Sequence, residues 1–280
     1  MYSTRQTNQR KVPFLRYPGG KSRITQFLIE RVTPAETAGC RLVEPFVGSG
    51  SFFFAIRPCR ALLADLNPEL IDLYRGIRLN PTTVWSRFRS FPSGKKAYYK
   101  IRAWDSGHLD LPSRAARTLY LNRTCFKGMW RHNLKGDFNV GYGGQDRRWV
   151  LTRADLVKLS KRLRIASLRC GDFEKAIDEC SPSDFLFVDP PYRPGAREMV
   201  HDHYRFGKFS FHEHRRLAAA LKRASKRGVR WALTTSSHPD IVALFRGHFI
   251  EGIPRGVGRQ IGQLTRGPGE VLIRNWRGAR

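Results

Sequence analysis

Acidic side chains are scarce in this sequence: 23 Asp and Glu stand against 51 Lys and Arg, a formal charge of +28 over 280 residues. That imbalance exceeds what a solvated basic surface needs and points to a polyanionic partner, nucleic acid or an anionic membrane surface. Long apolar runs are also missing. No stretch approaches the roughly 20 residues of a spanning helix, and the start Met1-Tyr2-Ser3-Thr4-Arg5-Gln6 is too polar for a signal peptide. A soluble intracellular protein with no membrane attachment is therefore expected. The five cysteines, Cys40, Cys59, Cys125, Cys170 and Cys180, are odd in number and lack C-x2-C spacing. Free thiols fit that pattern better than a disulfide framework or a zinc site. His201-Asp202-His203 and His212-Glu213-His214 carry metal-ligating residue types. Ser210 and Glu213, however, fit a helix capping box ahead of Leu217, Ala220, Leu221 and Ala224 at helical spacing, and no metal is expected.

What is present is an alternation of apolar strands and helical segments. Strands are predicted at 42–45, 61–64, 167–170, 185–188, 231–235 and 271–274, which argues for an α/β fold with a parallel sheet covered by helices on both faces. Ligands in such sheets bind at the carboxyl ends of strands. Glu44, Asp65, Asp172 and Asp189 each fall at or just after such an end, so four acids are expected to converge on one cleft.

Two motifs give that cleft its chemistry. Strand 42–45 runs into Phe46-Val47-Gly48-Ser49-Gly50-Ser51, where Gly48 and Gly50 let backbone approach a ligand, but the third glycine of a dinucleotide loop is absent. With no pyrophosphate cradle and Asp65 placed to hold ribose hydroxyls, the expected ligand is a nucleoside without phosphates; S-adenosylmethionine is one. The second motif, Asp189-Pro190-Pro191-Tyr192, closes the apolar run Phe185-Leu186-Phe187-Val188. The prolines fix φ and remove two donors, so a carboxylate and a carbonyl can both face an incoming NH2 group, while Tyr192 offers a stacking face worth about 1–3 kcal/mol per base. A strand-end turn would use the same residue types.

Together the motifs identify the chain as resembling the Dam-like DNA adenine methyltransferases, with the cofactor motif ahead of the catalytic one. The resemblance runs through Phe14-Leu15-Arg16-Tyr17-Pro18-Gly19-Gly20-Lys21, Val43 to Ser51, Leu63-Ala64-Asp65-Leu66-Asn67, Tyr120-Leu121-Asn122-Arg123, Asn133 to Val140 and Asp189 to Tyr192, ending near Glu270 to Asn275. It implies a Rossmann-like S-adenosylmethionine-dependent methyltransferase sheet with an inserted, mainly helical target-recognition subdomain: catalytic parts at 12–74 and 165–280, recognition at 75–164, and a basic arm at 1–11. It implies a catalytic group of Asp189, Pro190, Pro191 and Tyr192. Cofactor contacts are implied for Tyr17, Lys21, Glu44, Phe46, Gly48, Gly50, Asp65, Asp172, Phe173 and Asp189, and DNA contacts for Arg16, Arg123, Phe126, Lys127, Met129, Arg131 and Asn133. Double-stranded DNA, a flipped adenine, S-adenosylmethionine, a monomeric enzyme and a cytoplasmic, nucleoid-associated location in a bacterial or phage-infected cell follow from the same resemblance. A cognate restriction endonuclease is a candidate partner.

Between Tyr74 and Asp172 the strand alternation lapses, and Trp85, Tyr98, Tyr99, Trp104, Phe126, Trp130, Tyr142 and Trp149 interleave with Arg and Lys. That mixture suits a surface holding phosphates and stacking on bases, with core packing the expected role of Trp85 and Trp104. Segment 122–144 reads as a loop or hairpin, the recognition hairpin of the resembled family, and Thr152 with Asp155 fits a capping box. The chain departs from the family's pattern where Lys127 replaces a polar amide and Gly141, Gly144 and Gln145 replace a proline, an arginine and a tyrosine. Fewer base contacts imply relaxed specificity. The basic tails, with Arg255, Arg259, Arg266, Arg274, Arg277 and Arg280, suit a phosphate backbone. An RNA or protein-glutamine methyltransferase and a catalytically silent DNA-binding protein are the competing readings.

Overall fold

The computed structural model describes residues 14–16, 24–32, 39–192, 209–254 and 269–277. Five strands run parallel: β1 (Arg41–Glu44), β2 (Arg60–Asp65), β3 (Ala166–Cys170), β4 (Asp184–Val188) and β5 (Arg230–Ser236). The sheet is completed by β6 (Phe249–Gly252) and β7 (Glu270–Arg274) in the order β3-β2-β1-β4-β5-β7-β6. All six predicted strands are present. The sheet is not wholly parallel, because β7 pairs antiparallel with both β5 and β6. Antiparallel neighbours of this kind do not need the crossover connection that parallel strands require.

The central strand shows why the sheet carries helices on both faces. Every residue of β4 is buried, the near-continuous apolar run of a strand covered on two sides. Phe185 and Phe187 join one hydrophobic cluster while Leu186 and Val188 join the other, as the two-residue period dictates. The second cluster is closed by α8 (Phe173–Asp178), α9 (Phe211–Lys226) and α10 (Pro239–Ala243).

The first cluster is larger. It takes in α1 (Thr25–Arg31) and α2 (Ser51–Ile56), with the Phe52 ring stacked 3.9 Å from that of Phe187. It continues through α3 (Pro68–Leu79), α4 (Pro81–Ser90), α5 (Lys95–Arg102), α6 (Leu111–Thr124) and α7 (Arg153–Leu163). Residues 74 and 75, either side of the boundary read from the sequence, both lie inside α3, whose Leu73, Tyr74 and Ile77 are in that cluster. Trp85 and Trp104 pack partly buried against the same core. Thr152 and Asp155 form the expected reciprocal capping box on α7, and Ser210 caps α9 by accepting the Glu213 N–H.

At the amino-terminal ends of β1 and β4, Arg41 donates twice to the buried Asp184, at 2.8 and 2.9 Å. Burial alone would raise the Asp184 carboxyl, but Arg41 and the Ser181 N–H hold it below the ordinary range. The opposite, carboxyl ends carry the site. After β1 the chain winds to β2 and β3 on one side, then returns to place β4 against β1. The order reverses between these two strands, the topological position where open α/β sheets bind ligands.

Candidate active site

Glu44 ends β1 and Asp189 follows β4, so the switch point brings two carboxyl groups together. Burial raises Glu44 well above the usual carboxylate range; the Phe53 N–H opposes this and the Asp189 charge adds to it. Glu44 Oε1 is buried and has no hydrogen-bond partner among the described residues. Asp189 Oδ1 accepts a 2.6 Å hydrogen bond from the Thr234 hydroxyl and a 3.4 Å bond from Tyr192. Burial holds the Tyr192 phenol well above its ordinary value, with the charges of Asp189 and Glu270 reinforcing the shift. Tyr192 is therefore a neutral donor at any working pH.

The glycine loop after β1 is tied to β2 at several points. Gly48 N–H donates to Asp65 Oδ2 at 3.0 Å, its carbonyl accepts from Tyr74 at 2.7 Å, and Val47 N–H reaches the Ala64 carbonyl. Gly50 starts α2 at φ 64°, and a Cβ there would lie 2.9 Å from the Phe54 ring. Asp65 takes the Asn67 N–H on its other oxygen, and burial outweighs these bonds to push its carboxyl up to about 6. Asn67 then caps α3, with Pro68 in the first turn where its missing N–H costs nothing.

Beside this loop the Phe46 and Phe173 rings stack 5.1 Å apart, and Phe209 meets Phe46 edge-on at 5.5 Å. Asp172 caps α8 and receives Arg216 at 3.2 Å, while the Arg216 guanidinium lies over the Phe173 ring. Phe209, Arg216 and Thr234 are absent from the sequence reading, and Glu270 enters it only at the end of the resemblance, with no site role. None carries a motif, and only the packing of distant segments makes them neighbours. Tyr17 and Lys21 lie outside the described residues, as do the arm 1–11, His201-Asp202-His203, Arg255, Arg259, Arg266 and Arg280. Among the described residues there is no group of three or more His, Cys, Asp or Glu able to hold a metal, and no helix is long and apolar enough to cross a membrane.

The loop after α6 has a different character. Antiparallel bridges Cys125 to Tyr142 and His132 to Phe138 close it, in accord with the hairpin read from the sequence. Phe126 at its near end is 47% exposed, with the Lys127 ammonium 5.2 Å from its ring. Lys127 (φ 52°) and Gly128 (φ 68°) are both left-handed, and a Cβ on Gly128 would fall 2.4 Å from Arg16. Arg16 is held by Asn122 through both backbone groups, at 3.0 and 2.5 Å. Burial, and then Arg147, lower its pKa.

Arg131 is braced by Asn139, its Nε 2.7 Å from the amide oxygen. Asn133 spends its side chain on the turn, exchanging bonds with Asp137. Met129 packs partly buried on the core. Arg123 is only 1% exposed and donates to the Phe14 carbonyl. Burial and the charges of Arg16 and Arg147 push its pKa down to about 10. Of the other aromatic residues in this region, Tyr98 is buried, Trp130 and Tyr142 are partly buried, and Trp149 is 77% exposed. At the base of the loop Glu69 joins His132 at 2.8 Å to Arg117 at 2.9 Å. Burial would raise Glu69, but the His132 hydrogen bond and the charges of both partners hold it low.

A family profile described as D12 class N6 adenine-specific DNA methyltransferase matches residues 17–256. The chain belongs to that family. The Type II methyltransferase M1.LlaDCHI of Lactococcus lactis subsp. cremoris is 32% identical over 86% of this chain and 87% of its own. The DNA N-6-adenine-methyltransferase of Escherichia phage P1 is 32% identical over 86% of this chain, which spans 33% of the phage protein. The DNA adenine methylase of Vibrio cholerae serotype O1 is 28% identical over 84% of each chain. The protein is thus an adenine-specific DNA methyltransferase on a Rossmann-like sheet. Within the matched span lie Glu44, Asp65 and Asp189, at the carboxyl ends of β1, β2 and β4, and the exposed Phe126 and Lys127 of the loop after α6.

Proposed function

We propose that the enzyme takes its methyl group from S-adenosylmethionine and places it on the exocyclic amine of an adenine turned out of duplex DNA. The observation that carries this reading is the acid pair at the switch point: Asp189 beside Glu44, whose buried oxygen lacks a partner among the described residues. Three carboxyl groups, at Glu44, Asp65 and Asp189, with no phosphate cradle among the described residues, suit a cationic nucleoside better than a nucleotide. Asp65 is placed for ribose hydroxyls, and the stacked pair Phe46 and Phe173 for the adenine face of the cofactor, with Asp172 at its edge. Gly48 and Gly50 shape the loop, and Tyr17 and Lys21 are assigned to the cofactor by resemblance. When bound, the donor supplies an electrophilic methyl on a positive sulfur.

The chain's own residues do the rest. The Asp189 carboxylate and the Pro190 carbonyl accept the amine's N–H groups, Pro191 stiffens the turn, and Tyr192 gives the base a face. Orienting two reactants in this way is worth up to about 7–11 kcal/mol, and no covalent protein intermediate is needed. Extruding the base costs a few kcal/mol, offset by phosphate contacts from a chain this basic.

On the DNA side, Phe126 is assigned as the intercalating wedge and Arg131 and Arg16 as base readers. Lys127 fits a phosphate or orphan-base contact, and Asn133, Met129 and Arg123 support the loop from within. In this reading residues 75–164 carry recognition, the enzyme acts as a monomer in the cytoplasm, and Gly141, Gly144 and Gln145 relax specificity. A restriction endonuclease partner is expected only if one short motif is modified. The deciding experiment incubates unmethylated DNA with purified protein and S-adenosylmethionine and maps methyl-adenine by single-molecule sequencing. Methylation at many sequence contexts is expected. Uniform conversion of one tetranucleotide with little elsewhere overturns relaxed specificity, and no methylation at all overturns the catalytic reading.

A further inference from the structure

We infer that Thr234 is a positioning residue of the catalytic carboxylate: its hydroxyl holds one oxygen of Asp189 and so restricts its rotation. The inference rests on the assignment of Asp189 proposed above. In the β4 and β5 register Val188 faces Leu233, so the next pair along brings Asp189 opposite Thr234. Thr234 is fully buried, between Leu233 and Thr235 in a strand buried from Trp231 onward. A hydroxyl in such a run is costly unless it is hydrogen-bonded, and valine would fill the same volume. The 2.6 Å bond to Asp189 Oδ1, together with a contact to the Tyr192 hydroxyl, accounts for its presence. That length is typical of a charge-assisted O–H to carboxylate bond.

The same comparison separates Thr234 from Tyr192. The tyrosine reaches the same oxygen only at 3.4 Å, too long to fix an angle. Pro190 and Pro191 stiffen the backbone after Asp189 but do not act on its terminal torsion, which is broad in aspartate. Threonine is stiff at χ1 and is mounted on the strand next to β4. It is therefore a rigid donor, able to hold one carboxylate oxygen so that the group keeps a single orientation toward the amine.

The test compares Thr234→Val, Thr234→Ser, Thr234→Ala and Asp189→Ala in the full chain. Single-turnover methyl transfer is measured at saturating DNA and S-adenosylmethionine, with binding of each ligand and thermal unfolding measured alongside. Thr234→Val is expected to lower the transfer rate by about 10²-fold, the scale of a small misplacement of reacting groups. Affinities for both ligands and the unfolding temperature should stay near wild type, and Thr234→Ser should recover most of the rate. If Thr234→Val does not fold, the Ser to Ala rate ratio isolates the hydroxyl, since both variants lack the methyl. A ratio near one, or a wild-type rate in Thr234→Val while Asp189→Ala is inactive, overturns the role of Thr234 and leaves Asp189 standing. An active Asp189→Ala instead overturns the catalytic assignment.

Discussion

At the amino-terminal ends of β1 and β4, Asp184 meets both arms of Arg41; at the carboxyl ends of β1, β2 and β4, acids accept from neutral groups. Glu44 takes the Phe53 N–H, Asp65 those of Gly48 and Asn67, and Asp189 the Thr234 hydroxyl. One end neutralises its charge inside the chain, and there the ion pair only joins strands. At the other, burial outweighs the hydrogen bonds and raises the Glu44 and Asp65 carboxyls, a penalty on ionisation that a bound cation would relieve. The difference teaches where to look for chemistry in this sheet: not at the acid with the best ion pair, but at those held by dipoles.

The comparison breaks first at Asp189. Its replacement by Ala should lower methyl transfer at least about a thousandfold, the scale of removing a group that acts on the reacting centre. Salt-dependent DNA binding should survive, because phosphates supply most of the affinity; near wild-type turnover would erase the distinction between the two ends. At the opposite end, Arg41→Met should cost about 1.5–3 kcal/mol of stability in urea unfolding, as expected for hydrogen bonds to a charged group. The transfer rate should be unchanged, and a variant that is stable but slow would contradict the structural role of that end.

Arg131 is a cation with the same kind of neutral support, braced by the Asn139 amide. Arg131→Ala should reduce preference for the neighbouring base by about 1–3 kcal/mol in a methylation profile. An unchanged profile would make its contact a phosphate. The smallest effect concerns pH. Asp65 sits at about 6 because burial outweighs its N–H bonds, above an unfolded value of about 3.9. Its contribution to folding is therefore present at low pH and lost as pH rises through about 6. Ligand binding has the opposite sign, since hydroxyl groups bond best to the ionised form. Affinity for S-adenosylmethionine should fall by up to about tenfold per unit below pH 6, read by calorimetry, and a flat profile would remove Asp65 from the ribose.

Much of the site was legible because its acids directly follow apolar runs: Glu44 after Leu42 and Val43, Asp189 after Phe185 to Val188. The strand β6 was not, since Phe249 and Ile250 are exposed at the sheet edge and show no buried alternation. The direction of β7 depends on how the chain returns from β6, and no residue of Glu270–Arg274 encodes it. Thr234 escaped notice because threonine is an ordinary strand residue, and its role exists only in register with β4. Arg123 and Asn133 matched family positions, yet sequence could not tell that one would be buried against Phe14 and the other spent on a turn. Glu69, Arg117 and His132 are far apart in the chain, and nothing local marks them as partners.

The hydrophobic cluster shared by the sheet and the helices after it makes the two mechanically inseparable. Phe185 and Leu63 of the sheet and Phe88, Tyr98 and Tyr120 of the helices belong to a single packed body, and Glu69 bolts the loop to the helix that starts beyond Asp65. The helices assigned to recognition under the proposed function therefore share close-packed interior with the sheet. Phe126, Lys127 and Leu134 are exposed on the loop after α6 and can be substituted without disturbing that interior.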